Sequence, residues 1–473
     1  MTLCTPPAVW ISAGASHCVA LEVETSIRNG DADANENDES ENARGEKTST
    51  LYSWGSSEEG QLGHRDSEDH YYPKEVEALQ AVALSAVCCG ANHTLAVADS
   101  KELYTWGWGD FGRLGLGDPS DRRIPTPVTA LSGVRVCHVA CGDSHCLVVA
   151  QEGRLFTFGR NQNGQLGLGD TQDRLVPSPV ASLWDDGVRV RRVAGGAEHS
   201  CITAEGGHMY TFGWGSYGNL GHGHVSDLHV PTKVMALEGH NVTDPICGWR
   251  HSAALTDRGR LWTFGWSKYG QLGHGNNEDV WTPKLLPEFA GGPITAAAGG
   301  WRHMCALSGS SGTLYSWGWN QFGQLGVGST EDANSPQQVT VGAGHGEHVS
   351  AVSCGWRHTL AVAGEDAGVY TWGRCTNGQL GHGDTTQRNV PMKVEAMDLM
   401  RQGIGVGVCM DQTGEGRNGD GAAGGGSGAG VASGVFVTKR SRPGQDLMEV
   451  PTNKKLHPDP EDDFAAVPDS DDS

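Results

Sequence analysis

The tetrapeptide Gly-Trp-Arg-His occurs three times in the sequence, at 248–251, 300–303 and 355–358. Four further copies keep the Gly-x-x-His frame without the Trp-Arg pair, beginning at Gly14, Gly90, Gly142 and Gly196. An indole absorbs ultraviolet light, and a guanidinium can lie over its face or pair with a carboxylate. We expect the Trp-Arg pairs to carry the function, either as hot spots of a protein interface or as an indole chromophore whose Arg neighbours couple excitation to interface ion pairs.

A second motif, an aromatic residue followed by Gly, has the same period. It is centred on Trp54, Trp106, Phe158, Phe212, Phe264, Trp317 and Trp372, at intervals of 52 to 55 residues. In all seven copies a Leu-Gly pair begins eight residues later. A period near 50 residues with short β-rich segments is typical of a propeller or a solenoid.

Each repeat is predicted to form four short strands. Strand A ends before the Gly of Gly-x-x-His, strand B follows the His, strand C is the aromatic motif, and strand D is a Pro-x-x-Val segment. Four antiparallel strands repeated seven times predict an all-β, seven-bladed β-propeller. Because the chain starts at an A strand and the seventh repeat ends at a D strand, we expect the first and last repeats to meet.

The predicted domain organisation is a propeller over 1–397 and a C-terminal tail over 398–473. An acidic, polar segment at 22–49 is predicted to be a disordered insertion in the first repeat. The tail is predicted to be disordered from its Gly-rich composition. Val467 and Pro468 lie in its acidic end, in a sequence that has the form of a short linear motif for a partner groove; the dipeptide recurs at 450–451 and is not specific alone.

The net charge of −22 argues against a general nucleic-acid-binding protein. No apolar run is long enough to span a bilayer, and the N-terminus lacks a signal-peptide pattern. We therefore expect a soluble intracellular protein. Cys89, Cys141, Cys247 and Cys354 each precede the motif Gly, so we expect them to lie in separate blades as small buried groups without local partners.

Strand order places the Gly-x-x-His turns and the C–D loops on one face of the propeller. Early repeats bring acidic residues to this face: Glu58, Glu59, Glu68, Asp110, Asp121, Asp143 and Glu198. Late repeats bring basic residues: Arg250, Lys268, Arg302, Arg357 and Arg374, with Arg160 as an early exception. Such a face complements itself under a two-fold rotation and predicts a homodimer; the alternative is a solvated loop surface of mixed charge.

The same face collects tryptophans: Trp249, Trp301 and Trp356 from the turns, and Trp108, Trp214, Trp266 and Trp319 two residues after the motif aromatic. The motif aromatics and the seven motif histidines are expected in the core. The pattern Gly107-x-Gly109-x-x-Gly112 opens no helix and is discounted as a dinucleotide site. No catalytic constellation is recognisable, so we expect neither an enzyme nor a cofactor, metal or small-molecule substrate.

These repeats resemble those of the regulator of chromosome condensation family. The triple Gly-Trp-Arg-His and the Val-Pro of the tail are similar to the ultraviolet-B (UV-B) photoreceptor family of plants and green algae. The resemblance implies a homodimer held by ion pairs and cation–π contacts, which dissociates when intrinsic tryptophans absorb UV-B. It also implies that the monomer binds the E3 ubiquitin ligase of photomorphogenesis.

Matched residue by residue, the resemblance assigns light sensing to Trp301 and Trp249, with Trp356 in support and Trp108 contributed by the facing subunit. It makes Arg302 the central interface cation, opposite Asp110 and Asp121. Further interface positions are Arg160, Glu198, Arg250, Lys268, Arg357, Arg374, Glu58 and Glu68, and the ligase motif is Val467-Pro468. Ser216 stands where an Arg is expected, and the insertion at 22–49 is unusual, so one ion pair and the dimer strength are in doubt.

Two other functions stay open from the sequence. Relatives with these repeats include guanine-nucleotide exchange factors and chromatin-binding scaffolds, and chromatin is a further candidate partner here. A scaffold whose Trp-rich face binds a fixed partner would show no response to light. A basic cluster in the tail, at 439–442, has the form of a weak nuclear signal, and the simpler alternative is a solvated linker. We expect a protein of both cytoplasm and nucleus.

Overall fold

The computed structural model describes residues 8–25, 47–287, 289–344, 346–402, 404–406 and 437–439. Seven four-stranded antiparallel sheets form a β-propeller, and the predicted fold class is confirmed. Every blade consists of four strands consecutive in the chain, so no strand is exchanged between the two ends. The expected disorder of the tail, together with Val467 and Pro468, lies outside the described residues.

The first four blades comprise these strands. Blade 1 contains β1 (Ala8–Ala13), β2 (His17–Thr25), β3 (Lys47–Gly55) and β4 (His70–Glu75). Blade 2 contains β5 (Leu84–Cys89), β6 (His93–Ala98), β7 (Leu103–Gly107) and β8 (Arg122–Pro127). Blade 3 contains β9 (Val136–Cys141), β10 (His145–Ala150), β11 (Leu155–Gly159) and β12 (Arg174–Pro179). Blade 4 contains β13 (Val190–Gly195), β14 (His199–Ala204), β15 (Met209–Gly213) and β16 (Leu228–Lys233).

The last three blades follow the same order. Blade 5 contains β17 (Val242–Cys247), β18 (His251–Thr256), β19 (Leu261–Gly265) and β20 (Val280–Leu285). Blade 6 contains β21 (Ile294–Gly299), β22 (His303–Ser308), β23 (Thr313–Gly318) and β24 (Ala333–Val339). Blade 7 contains β25 (Val349–Cys354), β26 (His358–Ala363), β27 (Gly368–Gly373) and β28 (Arg388–Lys393). Two short helices, α1 (Ala181–Asp185) and α2 (Glu395–Arg401), and a paired β29 (Ile404–Val406) and β30 (Val437–Lys439) complete the described elements.

The core lies between successive blades, where each sheet packs on the next. The second strand of a blade is buried along its whole length, as in β6, because both faces of the sheet are covered. The motif aromatics are fully buried, as expected; Trp54, Trp106, Trp317 and Trp372 have no exposed surface. The Gly after the aromatic ends the third strand at a positive φ, and at Gly107 a Cβ would lie 2.6 Å from the Asn92 carbonyl oxygen.

The motif histidines join neighbouring blades through hydrogen bonds in the core. The Nε2 atom of each His meets the residue that follows the motif His of the next blade. Four junctions use a hydroxyl, at 2.9 to 3.1 Å: His17–Thr94, His145–Ser200, His199–Ser252 and His303–Thr359. Two use a thiol, His93–Cys146 and His358–Cys18. Between blades 5 and 6 the equivalent residue is Met304, and Nε2 of His251 has no hydrogen-bond partner among the described residues.

The ring closes between blades 1 and 7 with the same contacts that join other blades. The Trp356 amide donates to the Gly14 carbonyl at 3.3 Å, as Trp301 does to Gly355 at 3.4 Å. The Trp54 indole donates to the Gln379 carbonyl at 3.0 Å. The first and last repeats therefore meet, as predicted from the strand order.

Two element boundaries differ from the sequence-based ones. The insertion was expected to begin at residue 22 and end at 49, but β2 and β3 stay paired in register out to Thr25 and Lys47. The tail was expected to begin at 398, but α2 continues to Arg401, whose Nε donates to Glu22 at 2.7 Å. The polar composition of these segments predicted neither extension. β2 pairs with β3 across the insertion, and Arg401 pairs with Glu22, which is distant in sequence.

The motif glycines surround a central cavity of about 110 Å³ on the propeller axis. A side chain at Gly14 would lie 2.6 Å from the Gly90 carbonyl, so glycine allows the first strands to converge. Small-molecule sites usually measure about 300 to 1,000 Å³, so this cavity is too small for most ligands. Among the described residues, no helix has the length and apolar character needed to cross a bilayer.

Candidate functional site

The three Gly-Trp-Arg-His turns bring their indoles together around the axis. Each turn is fixed by the Trp amide, which donates to the Gly carbonyl of the following blade. The Trp249 and Trp301 ring centroids are 5.2 Å apart at 62°, and those of Trp301 and Trp356 are 5.8 Å apart and stacked at 18°. The structure thus assembles the three predicted sensing indoles into one continuous group.

A second arc of rings lies outside the first, on the C–D loops. Trp214, Trp266 and Trp319 alternate with Tyr217, Tyr269 and Phe322, and successive centroids are 5.3 to 6.0 Å apart. The two arcs touch, because Trp249 lies 5.8 Å from Trp266, and Trp301 lies 5.6 Å from Trp319. We call these nine rings the aromatic face: Trp214, Tyr217, Trp249, Trp266, Tyr269, Trp301, Trp319, Phe322 and Trp356.

Three members of the aromatic face were not singled out from the sequence. Tyr217, Tyr269 and Phe322 each precede the Gly that starts the Gly-(Gln/Asn)-Leu-Gly segment in blades 4, 5 and 6. Blades 1, 3 and 7 have Glu59, Asn163 and Asn377 at this position. Blade 2 also has an aromatic residue there, Phe111, but blades 4 to 6 have three in succession, and a comparison of all repeat positions would have revealed them.

Arg302 lies at the centre of the aromatic face. Its guanidinium carbon is 3.8 Å from the Trp301 centroid and 5.1 to 5.5 Å from four more rings, those of Trp249, Trp266, Tyr269 and Trp319. It donates to the Tyr269 hydroxyl at 3.0 Å. Burial lowers the pKa of this guanidinium. No carboxylate of the described residues forms an ion pair with Arg302, so the cation is held by rings and remains available to an external anion.

Three further arginines lie beside rings of the aromatic face. Arg250 lies 3.8 Å above Trp249 and donates to the Tyr217 hydroxyl at 3.1 Å. Arg357 lies 4.7 Å from the Trp301 centroid. Arg374, from the last blade, lies 5.2 Å from Phe322. Stacked guanidinium–indole contacts of this kind are each worth roughly 0.5–2 kcal/mol.

The acidic residues lie on the opposite rim. Asp110, Asp121, Glu58 and Glu68 are exposed, as is the basic Lys268. One carboxylate oxygen of Asp121 accepts from the Gly109 amide at 2.8 Å, which fixes the loop. Arg160 and Glu198 form an ion pair with each other at 2.8 Å within the chain. These two predicted interface residues are therefore paired with each other in the single chain.

Trp108 lies apart from the aromatic face and is covered by Arg113. The guanidinium carbon of Arg113 is 3.8 Å from the Trp108 centroid. Arg113 is fully buried, donates to the carbonyls of Asp110 and Asp143, and leaves Nη2 without a partner among the described residues. Burial lowers its pKa to about 10. The sequence signal was present but overlooked: six repeats have Gln or Asn at this position.

Asp143 faces the indoles across the central cavity. Burial and the neighbouring Glu198 raise the pKa of its carboxyl to about 6, although a hydrogen bond with the Trp356 side chain opposes the shift. Asp143 and Trp356 both line the cavity, so this contact joins blade 3 to blade 7 across the axis. One acidic residue therefore lies beside the indole cluster rather than on the rim.

As a whole the site is a set of closely spaced chromophores whose nearest charges are arginines. Indoles 5 to 6 Å apart exchange excitation energy readily, so absorption by one ring is shared among several. A cation held by the electron density of a ring responds when that density changes. A change in the electron density of these rings would therefore change how tightly they hold Arg302 and its neighbours.

Comparison with known proteins gives a family. The family model described as the RCC1-like domain matches residues 43–306, and the regulator of chromosome condensation (RCC1) repeat matches 311–362 and 366–402. The ultraviolet-B receptor UVR8 of Arabidopsis thaliana is 48% identical over 390 residues, 82% of each chain. The E3 ubiquitin-protein ligase HERC2 of Homo sapiens is 34% identical over 74% of this chain, which corresponds to 7% of that protein.

Solved structures agree on the fold. Human WBSCR16 superposes with a TM-score of 0.64 at 24% identity, over 73% of this chain and 93% of that one. Prp20p of Saccharomyces cerevisiae gives 0.61 at 21% identity, over 76% and 83%. The motifs, the propeller and the sequence match converge: the chain belongs to the RCC1 repeat family, in the branch that resembles the plant ultraviolet-B receptor.

Proposed function

We propose that this protein is a UV-B photoreceptor whose chromophore is the aromatic face itself. The observation that carries the proposal is the position of Arg302, which lies within 5.5 Å of five ring centroids and forms no internal ion pair among the described residues. The 48% identity to a receptor for ultraviolet-B supports it. No bound cofactor is required, since tryptophans absorb in this range.

In the dark state, the aromatic face is the interface of a homodimer. Arg302, Arg250, Arg357 and Lys268 on one subunit meet Asp110, Asp121, Glu58 and Glu68 on the other, and a two-fold axis repeats each pair. Trp108 reaches the aromatic face of the opposite subunit, which explains its separation from the cluster in its own chain. The Arg160–Glu198 pair adds an interface charge of each sign once it exchanges partners.

Absorption of UV-B weakens this interface. Excitation or electron transfer among Trp249, Trp301 and Trp356 changes the ring electron density that holds Arg302. The guanidinium then loses both its ring contacts and its alignment with the opposite carboxylates, and the ion pairs break. The monomer exposes the aromatic face, and it signals by binding an E3 ubiquitin ligase of photomorphogenesis, with Val467-Pro468 as the second contact. We place the protein in both cytoplasm and nucleus.

The proposal is tested by size-exclusion chromatography of the full chain, in the dark and after UV-B, with wild type, Trp301→Phe and Trp281→Phe. We expect wild type to elute as a dimer in the dark and as a monomer after irradiation. Trp301→Phe keeps the dimer but loses the light response, because the indole beneath Arg302 is gone. Trp281 is 48% exposed on strand β20 and is not one of the nine rings of the aromatic face, so its variant should respond like wild type.

Two results would overturn the proposal. An unchanged elution position of wild type after irradiation would remove the photoreceptor function and favour a scaffold that binds a fixed partner. Loss of the response in Trp281→Phe as well would show that the effect is general photodamage rather than sensing by the aromatic face.

A further inference from the structure

Cysteine side chains meet across blade junctions, which corrects the expectation that they have no local partners. His199, Cys201 and Cys247 form one cluster between blades 4 and 5. His303, Cys305 and Cys354 form another between blades 6 and 7. In each, the three side-chain nitrogen or sulfur atoms lie within 4.8 Å of one another. The sequence hid this pairing because each cluster joins residues about 50 positions apart.

The two clusters occupy equivalent positions in the fold. The His and the first Cys lie two residues apart on the second strand of a blade, and the second Cys ends the first strand of the next blade. At the position of the first Cys the other five blades have apolar residues: Val19, Leu95, Leu147, Ala253 and Leu360. Cysteine therefore appears there only in blades 4 and 6, and both times it faces a second cysteine.

These ligands suit a soft metal ion. Thiolate and imidazole together select Cu(I) or Zn(II) rather than hard cations. Sulfur binds such ions at about 2.3 Å, so two sulfurs on one ion lie up to about 4.6 Å apart, close to the spacing observed. Zinc normally takes four ligands, whereas each cluster offers three. Cu(I) is stable with two or three ligands, so the donor set fits that ion better.

Each imidazole also has one nitrogen with a free lone pair, which can bind the metal ion as a third ligand. Nε2 of His199 lies 2.9 Å from the Ser252 hydroxyl, which itself donates to the Asn219 carbonyl at 2.7 Å. The hydroxyl proton is thus committed, Nε2 carries the imidazole proton, and the lone pair remains on Nδ1. His303 has the same arrangement with Thr359 and the Gln324 carbonyl. Nδ1 of both histidines, like that of the other five motif histidines, has no hydrogen-bond partner among the described residues.

We propose that the clusters of His199, Cys201 and Cys247 and of His303, Cys305 and Cys354 each bind one Cu(I) ion. Both thiols lose their protons to solvent as two Cu–S bonds form, and the imidazole completes a three-coordinate site. No electron is transferred.

A third cluster, His93, Cys141 and Cys146, is excluded from the proposal. Its Cys146 thiol bonds to Nε2 of His93 and to the Arg113 carbonyl, each at 3.2 Å. In the other two clusters the thiol contacts are longer, 3.6 Å from Cys201 to the Ser252 hydroxyl and 3.7 Å from Cys354 to the Ala298 carbonyl. The buried Arg113 guanidinium beside it opposes a second cation. The proposal therefore requires two ions per chain.

Bound ions would act close to the aromatic face. Cys247 and Cys354 lie two residues before Trp249 and Trp356, on the strands that lead into those turns. A metal would tie blade 4 to blade 5 and blade 6 to blade 7, on either side of Trp301. Occupancy should therefore raise the thermal unfolding temperature and quench part of the tryptophan emission.

The test is anaerobic titration of the reduced, full-length protein with Cu(I) held by bicinchoninate, which reports the copper transferred to the protein. We expect two ions per chain in wild type, one in Cys201→Leu, one in Cys305→Leu and none in the double variant. Leucine is the residue of three sister blades at this position, so the fold should tolerate it. Cys137→Ser, an exposed cysteine outside the clusters, should still bind two.

Failure of wild type to take copper from the competitor would overturn the proposal, as would two ions bound by the double variant. Uptake of Zn(II) but not Cu(I) would overturn the assignment of the ion. Circular dichroism checks that each variant is folded. Should a leucine variant unfold, Cys247→Ala and Cys354→Ala replace it, with one ion lost for each.

Discussion

At the scale of the residue, the most informative side chain is Arg113. Its position in the repeat is Gln in blades 1, 3, 5, 6 and 7, where the amide oxygen accepts from the backbone amide two residues earlier. In blade 2 the guanidinium instead covers Trp108 and leaves Nη2 without a partner among the described residues. A buried cation that is incompletely hydrogen-bonded does not stabilise a fold, so its role is to hold and polarise Trp108.

We predict that Arg113→Gln keeps the stability of wild type within about 1 kcal/mol, because glutamine can make the hydrogen bond that sister blades make. Arg113→Lys should lose about 1–3 kcal/mol, because an ammonium cannot stack on the indole or reach both carbonyls. Urea unfolding of the two variants measures the difference. Equal loss in both would show that the stacking and hydrogen bonds of the guanidinium stabilise blade 2.

The tryptophan–arginine turns could be predicted at this scale because they interrupt a repeated pattern three times. Arg113 interrupts it once, and Tyr217, Tyr269 and Phe322 replace residues that vary anyway. Single departures become visible only when the fold shows what they touch. The interface assignments of Glu58, Glu68, Lys268 and the other rim residues stay predictions, since their partners belong to a second subunit.

At the scale of the element, the blades are joined by one repeated interblade hydrogen bond whose strength varies around the ring. Four junctions have a hydroxyl acceptor, two have a thiol, and the junction of blades 5 and 6 has Met304. That junction lies beneath Trp249 and Trp301. The blades nearest the sensing indoles are therefore the pair without this bond.

We predict that Thr359→Val lowers the free energy of unfolding by about 1–3 kcal/mol, because it leaves Nε2 of the buried His303 without a partner. Met304→Leu, at the equivalent position of the preceding blade, should cost less than about 1.5 kcal/mol, because His251 has no bond to lose there. Chemical denaturation compares the two. A larger loss in Met304→Leu would contradict the role assigned to the hydroxyl.

At the scale of the whole molecule, the propeller has an acid-sensitive core. Burial lowers the pKa of His17, His145, His251 and His303 to about 3 and that of His358 to about 4. The unfolded chain takes up these protons near pH 6.5, whereas the folded chain does not. Stability is therefore complete above pH 6.5 and is lost as the pH falls. The carboxyl of Asp143, with its pKa raised to about 6, has the opposite effect, because its contribution to stability increases as the pH falls. It is a single group and does not offset the histidines.

We predict that the urea midpoint falls steeply between pH 6.5 and 5, with each buried histidine contributing about 1.4 kcal/mol per pH unit. His251→Gln should reduce that slope by one proton, and it disturbs the fold least because His251 has no interblade hydrogen bond. Equilibrium unfolding at pH 7.5, 6.5, 5.5 and 5 provides the measurement. Equal stability at pH 7 and pH 5 would contradict the neutral state of these side chains.

The architecture could be predicted almost completely from the sequence, because seven copies of two linked motifs fix the strand order and the number of blades. The contacts between repeats could not. The two His-Cys-Cys clusters and the Asp143–Trp356 hydrogen bond join residues from different blades. The distances between these residues depend on the curvature of the ring. The sequence period predicts the strands of each blade, whereas the geometry of the closed ring determines which side chains of neighbouring or facing blades come into contact.

Since every blade has the same four strands in the same order, the molecule contains seven versions of one structural unit. Each position of the blade therefore occurs seven times within one chain, so the residues at that position can be compared directly. Tolerated exchanges can be taken from a sister blade without any collection of homologues, as leucine can for Cys201 and glutamine for Arg113. Such a ring can vary its rim one loop at a time while its scaffold stays constant, which suits it to acquiring new surface chemistry.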